Sequence, residues 1–95
     1  MAAFIYILDL VDAGARPLTY VGWTTDVSRR LEQHNSGAGA RFTRGRIWRL
    51  LYTEEWPDQP TAMRREAQLK RDRALRAAIV TEARRTLPPP SRHPA

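Results

Sequence analysis

Two stretches of this chain are suited to little but β-strands, and they limit the folds open to the rest. Ala3–Leu10 (AFIYILDL) and residues 18–23 (LTYVGW) are rich in β-branched and aromatic residues, the types that pack well on a pleated surface. Asp12-Ala13-Gly14 between them is turn-forming, and Pro17 stands just ahead of the second run, where its missing N–H costs no ladder bond. The pair reads as an antiparallel hairpin, and residues 48–53 (WRLLYT) supply a third strand.

So small a sheet has to be covered by helices. Thr25 or Asp26 is placed to cap one reaching about Asn35, with Val27, Leu31 and His34 at i, i+4, i+7 on one face. Residues 36–45 (SGAGARFTRG) read as a flexible basic loop. Trp56-Pro57-Asp58-Gln59-Pro60 breaks the chain, and Thr61 is expected to cap a second helix running to Lys70 or Arg71. Asp72 marks a bend, after which Leu75, Ala78, Ile79 and Glu82 or Ala83 keep the spacing of a third amphipathic helix. The expected fold is α+β: a small three-stranded antiparallel sheet flanked by helices, in the order ββαβαα. Residues 1–86 make one domain, and 87–95 (LPPPSRHPA) a flexible proline-rich tail.

Composition narrows the chemistry. The 95 residues include no cysteine, which excludes disulfides, thiolate metal sites and thiol nucleophiles and fits a reducing compartment, expected to be the cytoplasm. Two histidines, His34 and His93, cannot make a multi-histidine metal site. No apolar run approaches the ~20 residues of a membrane span. Sixteen basic residues against ten acidic ones leave a net charge of +6, and its distribution is uneven. Residues 29–49 hold six arginines against Glu32, and residues 64–95 hold nine basic groups against three acidic ones. Two such blocks meeting on one face would attract phosphates; spread apart, they would only solvate the surface.

Tyr6 and Tyr20 lie in the two hairpin strands and can meet on one face. Gly22, inside strand-like sequence, marks a bulge or a close approach by another group. Arg30 and His34 share a helical face, as do Glu66 and Lys70. Taken singly these are packing residues or a surface ion pair. Together they bring a phenol, an imidazole, a cation and a metal-capable carboxylate to a basic domain, a set suited to cutting a phosphodiester.

Phe4-Ile5-Tyr6, then Tyr20-Val21-Gly22, then residues 24–35 (TTDVSRRLEQHN) and residues 62–70 (AMRREAQLK) resemble the GIY-YIG nuclease superfamily, most closely its small stand-alone bacterial members. Residues 20–44 are also similar to the catalytic subunit of structure-selective nucleases that cut branched DNA. The resemblance covers roughly residues 4–80, far more than an isolated short motif. It implies that Tyr6 and Tyr20 are the motif tyrosines, one of which activates or positions water, Tyr20 being preferred. It further implies that Arg30 steadies the scissile phosphate, that His34 orients the nucleophile or shares its proton, and that Glu66 holds one divalent ion, Mg²⁺ or Mn²⁺. Gly22 then allows close backbone approach, and Thr24 positions the loop or a water.

The chain departs from the pattern in three places: Phe4 stands for the first glycine, Trp23 for a lysine, and Arg73, Arg76 and Ala78 occupy the region of a supporting asparagine. The implied activity is a metal-dependent endonuclease acting on DNA, structure-selective rather than sequence-specific, in repair or processing, with a partner protein as one route to targeting. Arg41, Arg44, Arg46 and Lys70 would contact the phosphate backbone, and Trp23, Phe42 and Trp48 are candidates for stacking on unpaired bases or for packing. The alternative is a non-catalytic nucleic-acid-binding module, on DNA or RNA, that uses only the basic blocks.

Overall fold

The computed structural model describes residues 1–11 and 18–87. Its elements run β1 (Ala3–Leu10), β2 (Thr19–Thr24), α1 (Val27–Ser36), β3 (Trp48–Trp56), α2 (Gln59–Arg71) and α3 (Arg73–Thr86), with a single 3-10 turn at Arg41–Thr43. The fold is α+β in the expected ββαβαα order. The turn expected at Asp12-Ala13-Gly14, Pro17, and the part of the expected tail from residue 88 onward, with His93, lie outside the described residues. Leu87, assigned to the tail from sequence, packs against the core.

Strand β1 lies in the middle of the sheet, in the order β2-β1-β3, antiparallel to both neighbours. A central strand with helices on both faces has no solvent side, which is why AFIYILDL is apolar almost throughout instead of alternating. Ala3, Ile5 and Ile7 face α2 and α3, joining Val21, Leu51, Ala62, Leu69 and Val80. Tyr6 and Leu8 point the other way and pack with Trp48, Leu31 and Tyr20. Opposite Ile7 and Leu8 the β3 register slips, from Tyr52 to Leu50. The extra residue, Leu51, stays with Tyr52 on the α2–α3 side, as a β-bulge permits.

The helix ends follow capping chemistry. The Asp26 carboxylate accepts from the Arg29 N–H, and Gly37 closes α1 in the left-handed region (φ 88°). The expected cap of α2 is corrected. Asp58, not Thr61, is the N-cap and accepts from the Thr61 N–H, so Gln59 and Pro60 already belong to the helix. Proline is at home in a first turn, where its N–H would be unpaired anyway. Asp72 ends α2 and caps α3, accepting from the Leu75 N–H, and so makes the bend read from the sequence. The third strand runs three residues past its expected end, to Trp56. In α3 it is Val80 that is buried, whereas Ala78 is exposed.

Ion pairs tie the layers together. Asp9, 5 % exposed, receives both Arg84 (2.7 Å) and Arg49 (3.2 Å). Glu54 on β3 receives Arg65 of α2 through two nitrogens and also the Tyr52 hydroxyl and the Trp56 indole N–H. Burial together with Glu54 pushes the Tyr52 phenol up to about 12.

Candidate active site

The two tyrosines sit diagonally across the hairpin, since Tyr6 pairs with Gly22 and Leu8 with Tyr20. Their ring centroids are 6.3 Å apart. The α1 face lowers His34 onto both, 5.7 Å from Tyr6 and 5.0 Å from Tyr20. Gly22 is required here. A Cβ at this position would lie 2.4 Å from the Tyr6 hydroxyl oxygen, so the close approach it permits is that of the Tyr6 phenol. Gly22 is itself buried.

The centre of the site is a chain of hydrogen bonds with a defined direction. Tyr6 Oη lies 2.7 Å from His34 Nε2, and His34 Nδ1 lies 2.7 Å from Thr43 Oγ1. The Thr43 hydroxyl has one proton, and donates it to the Ala40 carbonyl at 2.8 Å. It must therefore accept from His34, which puts the ring proton on Nδ1. Neutral His34 then presents a bare Nε2, and the Tyr6 hydroxyl donates to it. All three side chains are buried. Burial first, and then the Arg30 charge, hold the His34 pKa below the ordinary imidazole value. Burial raises the Tyr6 phenol above 10, while Arg30 acts in the opposite direction.

Arg30, one turn before His34, is half-buried, with a guanidinium N–H donated to Gln33 at 2.9 Å. It lines an open cleft of about 450 Å³ with Arg29, Thr24 and Trp23. The Thr24 hydroxyl is bonded to the backbone of Asp26 and orders the turn from β2 into α1. Across the edge strand, Glu66 of α2 is half-buried and pairs with Lys70 at 3.4 Å. Lys70 Nζ also sits 5.9 Å from the Tyr20 ring centroid. The structure thus packs Tyr6, Tyr20 and His34 together, with Arg30 one turn away on α1, and connects Glu66 to the Tyr20 side of the cluster through Lys70.

The GIY-YIG catalytic domain matches residues 2–76. The chain belongs to the GIY-YIG family. Among its relatives, the UPF0213 protein of Streptococcus sanguinis is 42 % identical over 82 residues, 84 % of this chain and 90 % of that one. A UPF0213 protein of Halobacterium salinarum is 40 % identical over 77 residues, 79 % of this chain and 95 % of that one. The solution NMR structure of a UPF0213 protein from Bacillus halodurans aligns with a TM-score of 0.50 at 39 % identity, covering 86 % of this chain and 85 % of that one. These relatives are small stand-alone GIY-YIG proteins of about the same extent, and the family is one of nucleases acting on DNA.

Three residues of this GIY-YIG site escaped the sequence reading. Thr43 is buried and fixes the histidine tautomer. Gly39 is needed because a Cβ there would fall 2.5 Å from His34 Nδ1. Asn35 grips the Trp48 backbone from both sides, accepting its N–H at 2.7 Å and donating to its carbonyl at 2.9 Å. With the Trp48 indole N–H donated to the Thr43 carbonyl at 3.1 Å, these bonds shape the segment expected to be a flexible loop into a 3-10 turn with a buried residue. Arg41, Arg44 and Arg46 are exposed on and beside that turn. Arg76 of α3 donates to the carbonyls of Leu69 and Lys70 at the end of α2.

The donor set available to a metal is spare. Among the described residues no group of three or more His, Asp or Glu side chains converges, and Glu66 is the carboxylate paired with Lys70, the lysine that lies over Tyr20. That fits Mg²⁺ or Mn²⁺ held by one carboxylate plus water and substrate oxygens. It does not fit a zinc-type site built from protein ligands alone. No helix among the described residues is long and apolar enough to cross a membrane.

Proposed function

We propose that this GIY-YIG protein is a metal-dependent endonuclease that hydrolyses DNA phosphodiesters, selecting substrate by structure, in DNA repair or processing. The observation that carries the reading is the buried Tyr6–His34–Thr43 relay, lying beside a cation and a carboxylate.

The attacking water gives its proton to the Tyr6 oxygen as the Tyr6 proton passes to His34 Nε2. The raised phenol pKa makes free tyrosinate scarce at neutral pH, and the relay avoids forming it. The wiring favours Tyr6 over Tyr20 as the group that meets the water. His34 receives the proton on the one nitrogen left bare, while Thr43 keeps the other occupied. Arg30 balances charge on the phosphoryl oxygens as the new P–O bond forms. The P–O3′ bond breaks, the leaving oxygen takes a proton from water, and 5′-phosphate and 3′-hydroxyl ends result. Glu66 would hold the divalent ion, whose chemistry when bound is Lewis-acid stabilisation of phosphate and leaving-group charge.

Arg41, Arg44, Arg46 and Lys70 would contact the backbone, positioning DNA without reading its sequence. The test is a panel of flap, nicked, single-stranded and duplex DNA with Mg²⁺ or Mn²⁺. Cleavage that is lost in Glu66→Gln and Arg30→Ala supports the reading. Salt-sensitive binding without cleavage, unchanged by Glu66→Gln, would replace it with a non-catalytic binding module on DNA or RNA.

A further inference from the structure

The 3-10 turn that buries Thr43 holds its neighbour Phe42 outward, 47 % exposed. Phe42 is nevertheless fixed. Its ring lies nearly parallel to that of Tyr20 (22°, centroids 6.1 Å apart) and 6.1 Å from Trp48. Cations surround the pair. The Arg46 guanidinium carbon sits 4.9 Å from the Phe42 centroid, with an N–H donated to the Phe42 carbonyl at 3.0 Å. Lys70 lies over Tyr20. A shallow cavity of about 270 Å³ joins Phe42, Tyr20, Lys70 and Arg76. Phe42 therefore holds a half-exposed aromatic ring beside the tyrosine–histidine cluster, packed on Tyr20, with the Arg46 cation over it and Lys70 close by.

We infer that Phe42 is a stacking site for one unpaired base of a DNA strand whose backbone runs along Arg46, Lys70 and Arg76. A base inside a duplex keeps its faces against its neighbours and has none to offer. Unpaired bases stack on aromatic side chains largely regardless of sequence, and the surrounding cations follow the phosphates. Arg46 covers the ring as a planar cation; on binding, the base would take its place and the guanidinium would pair with the adjoining phosphate. Selection by structure, part of the reading above on which this inference rests, then has a physical basis: a strand is seated where at least one base is unpaired.

Binding without divalent metal tests this apart from catalysis. Fluorescence anisotropy would compare an oligothymidylate, an abasic strand of the same length and charge, and a duplex, using the parent, Phe42→Ala, Phe42→Leu and Phe42→Trp. The parent should favour the oligothymidylate over the abasic strand. Phe42→Ala and Phe42→Leu should weaken oligothymidylate binding about 5- to 150-fold, the range for one lost base stack. Affinity for the abasic strand should stay the same, and Phe42→Trp should keep the preference. The leucine variant retains apolar bulk, so its loss isolates the aromatic face. Equal affinity of the parent for thymidylate and abasic strands overturns the inference, as does an undiminished preference in Phe42→Leu. If base-dependent binding holds while no substrate is cut, the stacking site stands and the nuclease reading fails.

Discussion

Thr43→Val is the most informative single change, because it alters one hydroxyl and almost no volume. In the parent that hydroxyl accepts from His34 Nδ1 at 2.7 Å and donates to the Ala40 carbonyl at 2.8 Å. Valine leaves Nδ1–H facing a methyl group in a fully buried position. An unmet buried donor costs about 1–3 kcal/mol. Part of that can be escaped if the ring proton moves to Nε2, but then His34 no longer accepts from Tyr6 and the relay is broken. If the penalty falls on the competent tautomer, the cleavage rate drops roughly 5- to 150-fold, at 1.36 kcal/mol per tenfold.

The assay is single-turnover cleavage on the best substrate of the panel, with thermal unfolding alongside. Stability should fall by about 1–3 kcal/mol, a loss of about 4–24 °C in Tm for a domain of this size. Thr43→Ser restores the hydroxyl and should recover most of the rate, although it loses the methyl contact. Imidazole ¹⁵N shifts report the tautomer directly: Nδ1–H in the parent and in the serine variant, a mixture or Nε2–H in valine. A folded Thr43→Val protein that cuts at the parental rate while His34→Ala is inactive would refute the reasoning. So would a serine variant as impaired as the valine one.

Three other outcomes are expected. Gly22→Ala places a Cβ against the Tyr6 hydroxyl at 2.4 Å; overpacking of about 1–3 kcal/mol should exceed the smaller gain from alanine in a strand, and cleavage should collapse with the Tyr6–His34 bond. Calorimetry and kinetics check both, and unchanged activity would contradict the packing. The rate should hold as pH falls through 6.5 and decline only below it, because the His34 pKa is depressed and the neutral ring is the working form. By the same sign, His34 contributes stability above its unfolded pKa that is lost as pH falls through the folded value, and a pH–rate midpoint above 6.5 would be inconsistent. Arg65→Met leaves Glu54, 13 % exposed, without its main partner and should cost about 1–3 kcal/mol. Burial alone would raise the Glu54 pKa, but bonds from Arg65, Tyr52 and Trp56 bring it below the usual value. The stability this gives is present above the unfolded pKa and lost as pH falls through the folded one, so urea titrations between pH 7 and 3 should show a shallower acid slope in Arg65→Met.

How much of this was legible from sequence depended on the range of the interaction. The strands could be read because β1 is buried on both faces and its composition says so locally; the Asp72 bend could be read because a cap is a contact three residues long. The start of α2 was misplaced by the same local logic, since Pro57 and Pro60 look like a break and Pro60 is in fact tolerated in the first turn. The five family positions could be named one by one, but not their wiring. Tyr6 and His34 are 28 residues apart, and the third member of the relay is a threonine in a stretch that reads as linker. Nothing periodic marks it. Its placement follows from Asn35 holding the Trp48 backbone, Trp48 reaching back to the Thr43 carbonyl, and Gly39 leaving room against His34. Such a turn exposes one residue as it buries the next, so locking the histidine through Thr43 also holds Phe42 out beside the same site. A basic, glycine-rich segment with those constraints has little sequence freedom. It resembles a flexible loop because its order is supplied from α1 and β3, not from within.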